Sequence, residues 1–350
     1  MTERWSTFEH AAMGRALDLA AQGRTSTQPN PRVGCVIAVG EQIIGEGWHQ
    51  RSGEPHAEVF ALREAGERAR GATAFVTLEP CNHHGRTPPC SEALIAAGIA
   101  RVIYASGDPN PRVDGSGAAR LREAGVVVEQ GLRASEGEEL NLGFFSRMRR
   151  QRPWVRLKMA ASLDGRTATA SGESQWITSE AAREDVQRWR AESAAILSTS
   201  ATVLADDPRL SVRLNSARQP LRVLLDRDDR IPKSARVFAE PGEVLHLTAK
   251  EIALEASGRL SLPAVLSTLN AREINEVWTE AGATLAGSLI VANLADELVI
   301  YLAPMLLGSE GRPLAALRIG RLLDASRWHT TDLRQIGPDI RIMLRPLRSA

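Results

Sequence analysis

The chain reads as two α/β units in tandem, and three observations lead there. Its 350 residues are enough for two domains, each with its own core. In both halves short β-rich runs alternate with helical patterns, the mark of α/β layering. Between the halves Arg147, Arg149, Arg150 and Arg152 crowd together and stop at Pro153. The boundary falls there, giving units 1–148 and 149–350. The arginine stretch reads as a solvated linker, because four arginines are a weak nucleic-acid signal in an otherwise neutral chain.

In the first half, Phe8, Ala12, Ala16, Leu19 and Ala20 recur at helical spacing, and Gly23 offers a stop. Residues 33–39 and 42–48 read as two strands joined at Gly40-Glu41. A helix starts near Pro55, carries His56 and Glu58 in its first turn, and ends around Gly71. Residues 73–78 form a strand that runs into Glu79-Pro80-Cys81. Cys90 opens a helix over 91–97, where the helix dipole favours its thiolate. A strand at 100–105, a helix at 117–124 and a strand at 126–129 complete the unit. The second half has strands at 154–160, 194–197, 221–226, 244–247, 276–279 and 297–302. Its helices cover 179–192, capped by Ser179, and 285–293.

Composition narrows the function. With 43 basic and 42 acidic residues the net charge is +1, which gives no nucleic-acid footprint. No stretch approaches 18 apolar residues, and residues 1–5 lack an apolar signal core. Three cysteines make no disulfide framework and suit a reducing cytosol, so a cytoplasmic location is expected.

The chemistry concentrates at His56-Ala57-Glu58, Pro80-Cys81 and Cys90. A catalytic zinc takes three protein ligands and keeps one position open for water. His56, Cys81 and Cys90 supply that count. Glu58 is placed to take the water's proton and pass it to a leaving amine. The arrangement follows the zinc base-deaminase pattern, with eight residues between the cysteines where that pattern has two. His83 and His84 are rival ligands, ranked below Cys90.

The second half lacks G-x-G-x-x-G. It carries another glycine element, Gly282-Ala283-Thr284-Leu285-Ala286-Gly287-Ser288, after a strand ending at Glu280 and opening a helix. Backbone N–H groups at such a helix start can seat a phosphate. Taken alone, the two glycines read as easing a tight turn and close packing. Taken alone, Trp176 reads as a core aromatic and Arg190 as part of a solvated helix face.

Read together, these blocks resemble the bacterial bifunctional riboflavin-biosynthesis deaminase/reductase family, the RibD type. The resemblance runs through Pro29-Asn30-Pro31, Gly53-Glu54-Pro55-His56-Ala57-Glu58, Thr77-Leu78-Glu79-Pro80-Cys81 and His83-His84-Gly85-Arg86-Thr87-Pro88-Pro89-Cys90. It continues in Ala161-Ser162-Leu163-Asp164-Gly165, Gly172-Glu173-Ser174-Gln175-Trp176-Ile177-Thr178 and Thr202-Val203-Leu204-Ala205-Asp206-Asp207-Pro208. It implies a cytidine-deaminase-like α/β sandwich followed by a dihydrofolate-reductase-like α/β domain. It implies zinc on His56, Cys81 and Cys90, with Glu58 catalytic, and NADPH as the second cofactor. Ala160, Trp176, Thr202, Asp206 and Gly282, Ala283, Thr284, Leu285, Ala286, Gly287 and Ser288 match cofactor-contacting positions. Ser174, Arg190, Leu210, Arg213 and Glu280 match substrate-contacting positions, and Arg190 and Arg213 are expected to grip a phosphate. Asn30, Arg86, Asp108 and Asn110 match substrate contacts of the deaminase. The reductase proton donor is Glu280 or Lys158. Arg227 departs from the family pattern, where a small hydroxyl residue is usual.

The implied reactions are deamination of a phosphorylated diaminopyrimidine and then reduction of its ribosyl group. The expected partners are a small-molecule substrate and further copies of the chain, as a homodimer or larger, with no nucleic acid and no membrane. Two rivals stand beside this reading. One is a nucleic-acid (tRNA) base deaminase with an accessory domain. The other is a binding module with a four-ligand structural zinc.

Overall fold

The computed structural model describes residues 4–82, 89–111, 113–214 and 218–347. The chain divides into two compact units, Met1–Gln151 and Arg152–Ala350. Each is an α/β domain.

In the first unit, α1 (Thr7–Ala21) leads to a hairpin of β1 (Gly34–Val39) and β2 (Gln42–Trp48). Then come α2 (Ala57–Ala65), β3 (Thr73–Leu78), α3 (Cys90–Ala96), β4 (Arg101–Ser106), α4 (Ser116–Glu123), β5 (Val127–Gln130), α5 (Ala134–Leu140) and α6 (Leu142–Arg150). A capping box starts α1: Glu9 N–H donates to Ser6 Oγ, and the Glu9 carboxylate accepts from Ser6 N–H. The sheet order is β2-β1-β3-β4-β5, with β1 antiparallel to both neighbours and β3, β4 and β5 parallel.

Successive residues of β1 serve opposite faces of the sheet. Val36 packs with Met13 and Ala16 of α1, and Ile37 packs with Ala57 and Ala61 of α2. This layering fixes α2, and with it His56 and Glu58. The contact with β2 is backbone to side-chain-free backbone. A Cβ on Gly47 would stand 2.4 Å from Ala57 O and 2.6 Å from Ala61 N.

The second unit has β6 (Trp154–Ser162), β7 (Arg166–Ala168), α7 (Glu180–Glu192), β8 (Ala195–Thr199), α8 (Ser200–Asp206), β9 (Leu221–Leu225), α9 (Arg236–Ala239) and β10 (Val244–Leu247). It continues with α10 (Leu262–Ala271), β11 (Glu276–Glu280), α11 (Ala283–Val291), β12 (Glu297–Ala303), β13 (Arg312–Pro313), β14 (Trp328–Ile336) and β15 (Asp339–Pro346). Its main sheet runs β10-β9-β8-β11-β6-β12-β15-β14, parallel from β10 to β12 and antiparallel through the last two strands. Val265 of α10 and Leu289 of α11 pack with Val155, Leu157 and Val223 on one face. Ala182 and Val186 of α7 pack with Ile196, Leu224 and Trp278 on the other.

The fold class agrees with the sequence reading, and several elements differ in detail. The arginine stretch is the last turn of α6, not a linker. Phe144 and Phe145 bury that helix with Leu78. Arg149 lies 4.5 Å over the Phe145 ring and pairs with Glu138 at 3.0 Å. Arg152 clasps the buried Asp296 at 2.7 Å. His56 is the N-cap of α2 and stands just outside it, and the helix stops at Ala65 before a 3-10 turn, Gly66–Ala69. The last helix of the glycine element covers Ala283–Val291, two residues earlier than expected.

Because α2 meets β2 at Gly47 with no room for a side chain, Gly47→Ala is expected to overpack this contact. We expect a loss of about 1–3 kcal/mol, read as a lower urea midpoint at unchanged m-value.

Candidate functional site

In the first unit the site is assembled at the end of β3. Glu79 turns its carboxylate onto α4, accepting from Ala118 N–H through Oε1 (3.1 Å) and from Gly115 N–H through Oε2 (3.1 Å). This pins the segment that carries Cys81. The N–H of Cys90, first residue of α3, donates to Cys81 Sγ (3.4 Å). His56 Nδ1 lies 3.2 Å from Cys90 Sγ and 3.5 Å from Cys81 Sγ. Tetrahedral zinc with Zn–S near 2.3 Å and Zn–N near 2.0 Å places its ligand atoms about 3.5 Å apart. All three ligand atoms lie within 4.8 Å of one another, so a single ion can reach them all.

The charges around this point also call for a cation. Cys90 and His56 hold the Cys81 thiol far below its usual range, at about 4. Hydrogen bonding to Cys81, together with burial, pushes Cys90 up, so the pair shares a proton. Burial raises the Glu58 carboxyl. Glu58 is only 3 % exposed, and its Oε2 has no hydrogen-bond partner. Buried polar groups are rarely left in that state unless they work on a ligand.

Around the ligands, Asn30 Nδ2 stands 3.1 Å from His49 Nε2, and His49 Nδ1 stands 3.1 Å from Pro55 O. The His49 ring meets His56 edge-on, with centroids 5.4 Å apart. Burial lowers His49, which favours the neutral ring. Sequence reasoning missed His49; its only sequence signal is a histidine at the end of a strand two residues past a glycine. Asp108 follows β4 and accepts from Asn110 N–H (2.8 Å), and burial pushes its carboxyl up to about 7. His83, His84 and Arg86 lie outside the described residues.

The second unit holds a cavity of about 2040 Å³. That is roughly twice the upper size of a pocket for one drug-sized molecule. Its walls include Ala160, Ser174, Trp176, Arg190, Thr202, Asp206, Leu210, Arg213 and Glu280. Gly282, Ala283, Thr284, Leu285, Gly287 and Ser288 also line it. Ala286 does not: it is fully buried in the core behind α11.

Trp176 is 67 % exposed and is not a core aromatic; the Arg183 guanidinium sits 4.6 Å over its ring. Arg190 is not on a solvated face either. It places its fork on Glu280 at 2.6 and 2.7 Å and gives Nη1 to Ser211 O. The exposed Arg213 lines the same cavity. Burial alone would raise Glu280, but Arg190, Lys158 and the Trp278 Nε1–H hold it down at about 2. Burial lowers the Lys158 ammonium below the usual lysine range.

Gly282 is the N-cap of α11 and offers no side-chain cap. A Cβ there would meet nothing within 4 Å, and Gly282, Ala283 and Thr284 at the start of the helix line the cavity. Gly287 has the opposite reason to be glycine: a Cβ would fall 2.3 Å from Ala316 O, so a stretch of the cavity wall rests directly on the helix.

The sequence matches two family models: "RibD C-terminal domain" over residues 153–342, and "Cytidine and deoxycytidylate deaminase zinc-binding region" over residues 6–106. The riboflavin biosynthesis protein RibD of Escherichia coli K12 is 51 % identical, over 94 % of this chain and 96 % of its own length. The chain belongs to the RibD family. A solved RibD structure from Acinetobacter baumannii superposes with a TM-score of 0.91 at 45 % identity, covering 97 % of this chain and 99 % of that one. A structure from Thermotoga maritima reaches 0.88 at 33 % identity, with the same coverage. It is described as a diaminohydroxyphosphoribosylaminopyrimidine deaminase/5-amino-6-(5-phosphoribosylamino)uracil reductase.

As a RibD-family member the chain is a bifunctional deaminase and reductase of riboflavin biosynthesis, and a tRNA-deaminase reading is not favoured. Its first unit is cytidine-deaminase-like and its second is a dihydrofolate-reductase-like domain. Its substrate is a small pyrimidine. Among the described residues no helix is long and apolar enough to cross a membrane.

Proposed function

We propose that the first unit hydrolyses 2,5-diamino-6-ribosylamino-4(3H)-pyrimidinone 5′-phosphate to 5-amino-6-(5-phosphoribosylamino)uracil, and that the second reduces the ribosyl group of that product to ribityl. The single observation that carries the first half is the unpartnered, buried Oε2 of Glu58 beside a three-ligand set. The description of the T. maritima relative supports the choice of substrate.

His56 Nδ1, Cys81 Sγ and Cys90 Sγ would hold zinc, which when bound supplies a polarised water. Glu58 would take a proton from the attacking water and deliver it to the departing amine, so that ammonia leaves as the ring carbon gains oxygen. Burial suits Glu58 to this exchange, because it brings the carboxyl nearer to neutral pH. Neutral His49 and Asn30 flank the ligands and offer hydrogen bonds to a polar ring.

In the second unit NADPH, when bound, supplies a hydride. The open first turn of α11 would seat its pyrophosphate, with Trp176, Thr202 and Asp206 along the same cavity. Ser174, Leu210 and Arg213 would receive the phosphorylated substrate. Glu280, ionised down to about 2, orients hydroxyl groups as an acceptor and holds no proton to give at neutral pH. Lys158 is the donor: it is half-buried opposite Glu280 on the neighbouring strand, and its ammonium loses a proton more readily than an ordinary lysine.

The first test follows ammonia release and NADPH oxidation separately on the diaminopyrimidine phosphate. Glu58→Ala is expected to lose ammonia release by about 10²-fold or more while still oxidising NADPH with the pre-deaminated uracil. NADPH oxidation on the undeaminated substrate, or ammonia release untouched by Glu58→Ala, would overturn the scheme.

The second test is the pH profile of the reductase step. Lys158 donates only while protonated, so kcat is full below its lowered pKa and falls as pH rises through it. The falling limb is expected below the ordinary lysine value of about 10.4, with no acid limb from Glu280 near neutrality. A rate that climbs with pH across that range would assign the proton to another group.

A further inference from the structure

One side of the large cavity carries positive charge that neither the hydride step nor the substrate phosphate uses. Arg227, Arg230 and Arg259 line it there, with Asp228 and Glu255 as the nearby acids, a surplus of one positive charge. The arginines come from different elements. Arg227 sits two residues past the end of β9, and Arg259 lies on the turn that precedes α10.

Two contacts tie these cations together. Arg227 Nη1 donates to Gly258 O (2.9 Å), which fixes the backbone next to Arg259. Arg259 Nη1 donates to Ser288 Oγ (3.2 Å), and Ser288 in turn donates to Thr284 O (3.0 Å) in α11. A continuous path therefore runs from the end of β9, across the 258–259 turn, to the helix whose open N-terminus faces the same cavity.

We propose that Arg227 and Arg259 form a clamp for the 2′-phosphate of the dinucleotide and set its preference for the phosphorylated cofactor. The proposal rests on reading the cavity as the NADPH site. A phosphate at the 2′ position is a dianion that an arginine fork meets with paired hydrogen bonds. A cofactor without it presents a ribose hydroxyl, which a free carboxylate would accept. Asp228 is the acid placed for that role, but Arg227 already occupies both of its oxygens, at 2.7 and 2.8 Å. Asp228 thus offers the unphosphorylated ribose no free carboxylate, while Arg227 keeps the second N–H of each Nη for a phosphate. Both arginines are exposed, and neither belongs to the buried core. Removing them should leave the fold intact.

The test is calorimetric binding of two fragments, 2′,5′-ADP and 5′-AMP, to the full chain, with no turnover required. The unaltered protein is expected to bind 2′,5′-ADP at least about tenfold more tightly, as one charged hydrogen-bonding contact implies. Arg227→Ala and Arg259→Ala should each erase most of that margin; Arg259→Ala should leave 5′-AMP affinity unchanged, and Arg227→Ala, which frees Asp228, should raise it. The double variant should bind the two fragments alike. If the double variant folds, binds 5′-AMP normally and keeps the full preference for 2′,5′-ADP, the clamp is wrong while the cofactor site stands. If the unaltered protein binds neither fragment, the NADPH reading of the cavity fails, and the clamp with it.

Discussion

Charge that is buried must be compensated, and both sites of this chain are organised by how that is done. In the first unit two thiols and a carboxyl are packed beside one imidazole. Their protonation is pulled in opposite directions: Cys81 down, Cys90 and Glu58 up. Internal hydrogen bonds cannot settle all of these groups as anions, and a divalent cation does so at once. In the second unit compensation is internal. Arg190 and Lys158 neutralise Glu280, which stays ionised in a buried place. The first site is built to receive a charge, and the second to hold a carboxylate ready.

The sheets explain why the groups meet. Cys81 and Asp108 follow the ends of the parallel strands β3 and β4, while Glu280 ends β11 and Arg227 lies just past β9. Chemistry in open parallel sheets collects at the carboxyl ends of strands, where helices begin and backbone donors are free. Tight backbone packing then removes slack. Gly47 lets α2 touch β2, and Gly287 lets the cavity wall rest on α11. These contacts adjoin the sites, and they set where His56 and the α11 N-terminus stand.

Much of this was legible in the sequence where residue type and spacing carry one meaning. His56, Glu58, Cys81 and Cys90 form such a set, and the alternating elements gave the α/β class directly. Motif reading went astray where tertiary neighbours decide. Arg190 looks solvated because its partner Glu280 is 90 residues away in the chain. Trp176 looks like core because exposure of a tryptophan is not encoded in its own segment. The α6 arginines look like a linker because two phenylalanines are a thin signal for a helix. The β14–β15 hairpin escaped notice because β14 is mostly exposed and carries charged residues along its length. Ala286, grouped with the cofactor positions through its neighbours, turns its side chain into the core.

The account stands on an open three-ligand zinc site, and the most direct measurement is zinc content with X-ray absorption at the zinc edge on the purified chain. One zinc per chain is expected, with two sulfur ligands, one imidazole and one light-atom ligand that exchanges with solvent. A shell closed by a second imidazole, from His83 or His84, would contradict the account and make the metal structural. Absence of bound zinc after loading, with folding unchanged, would contradict it as well.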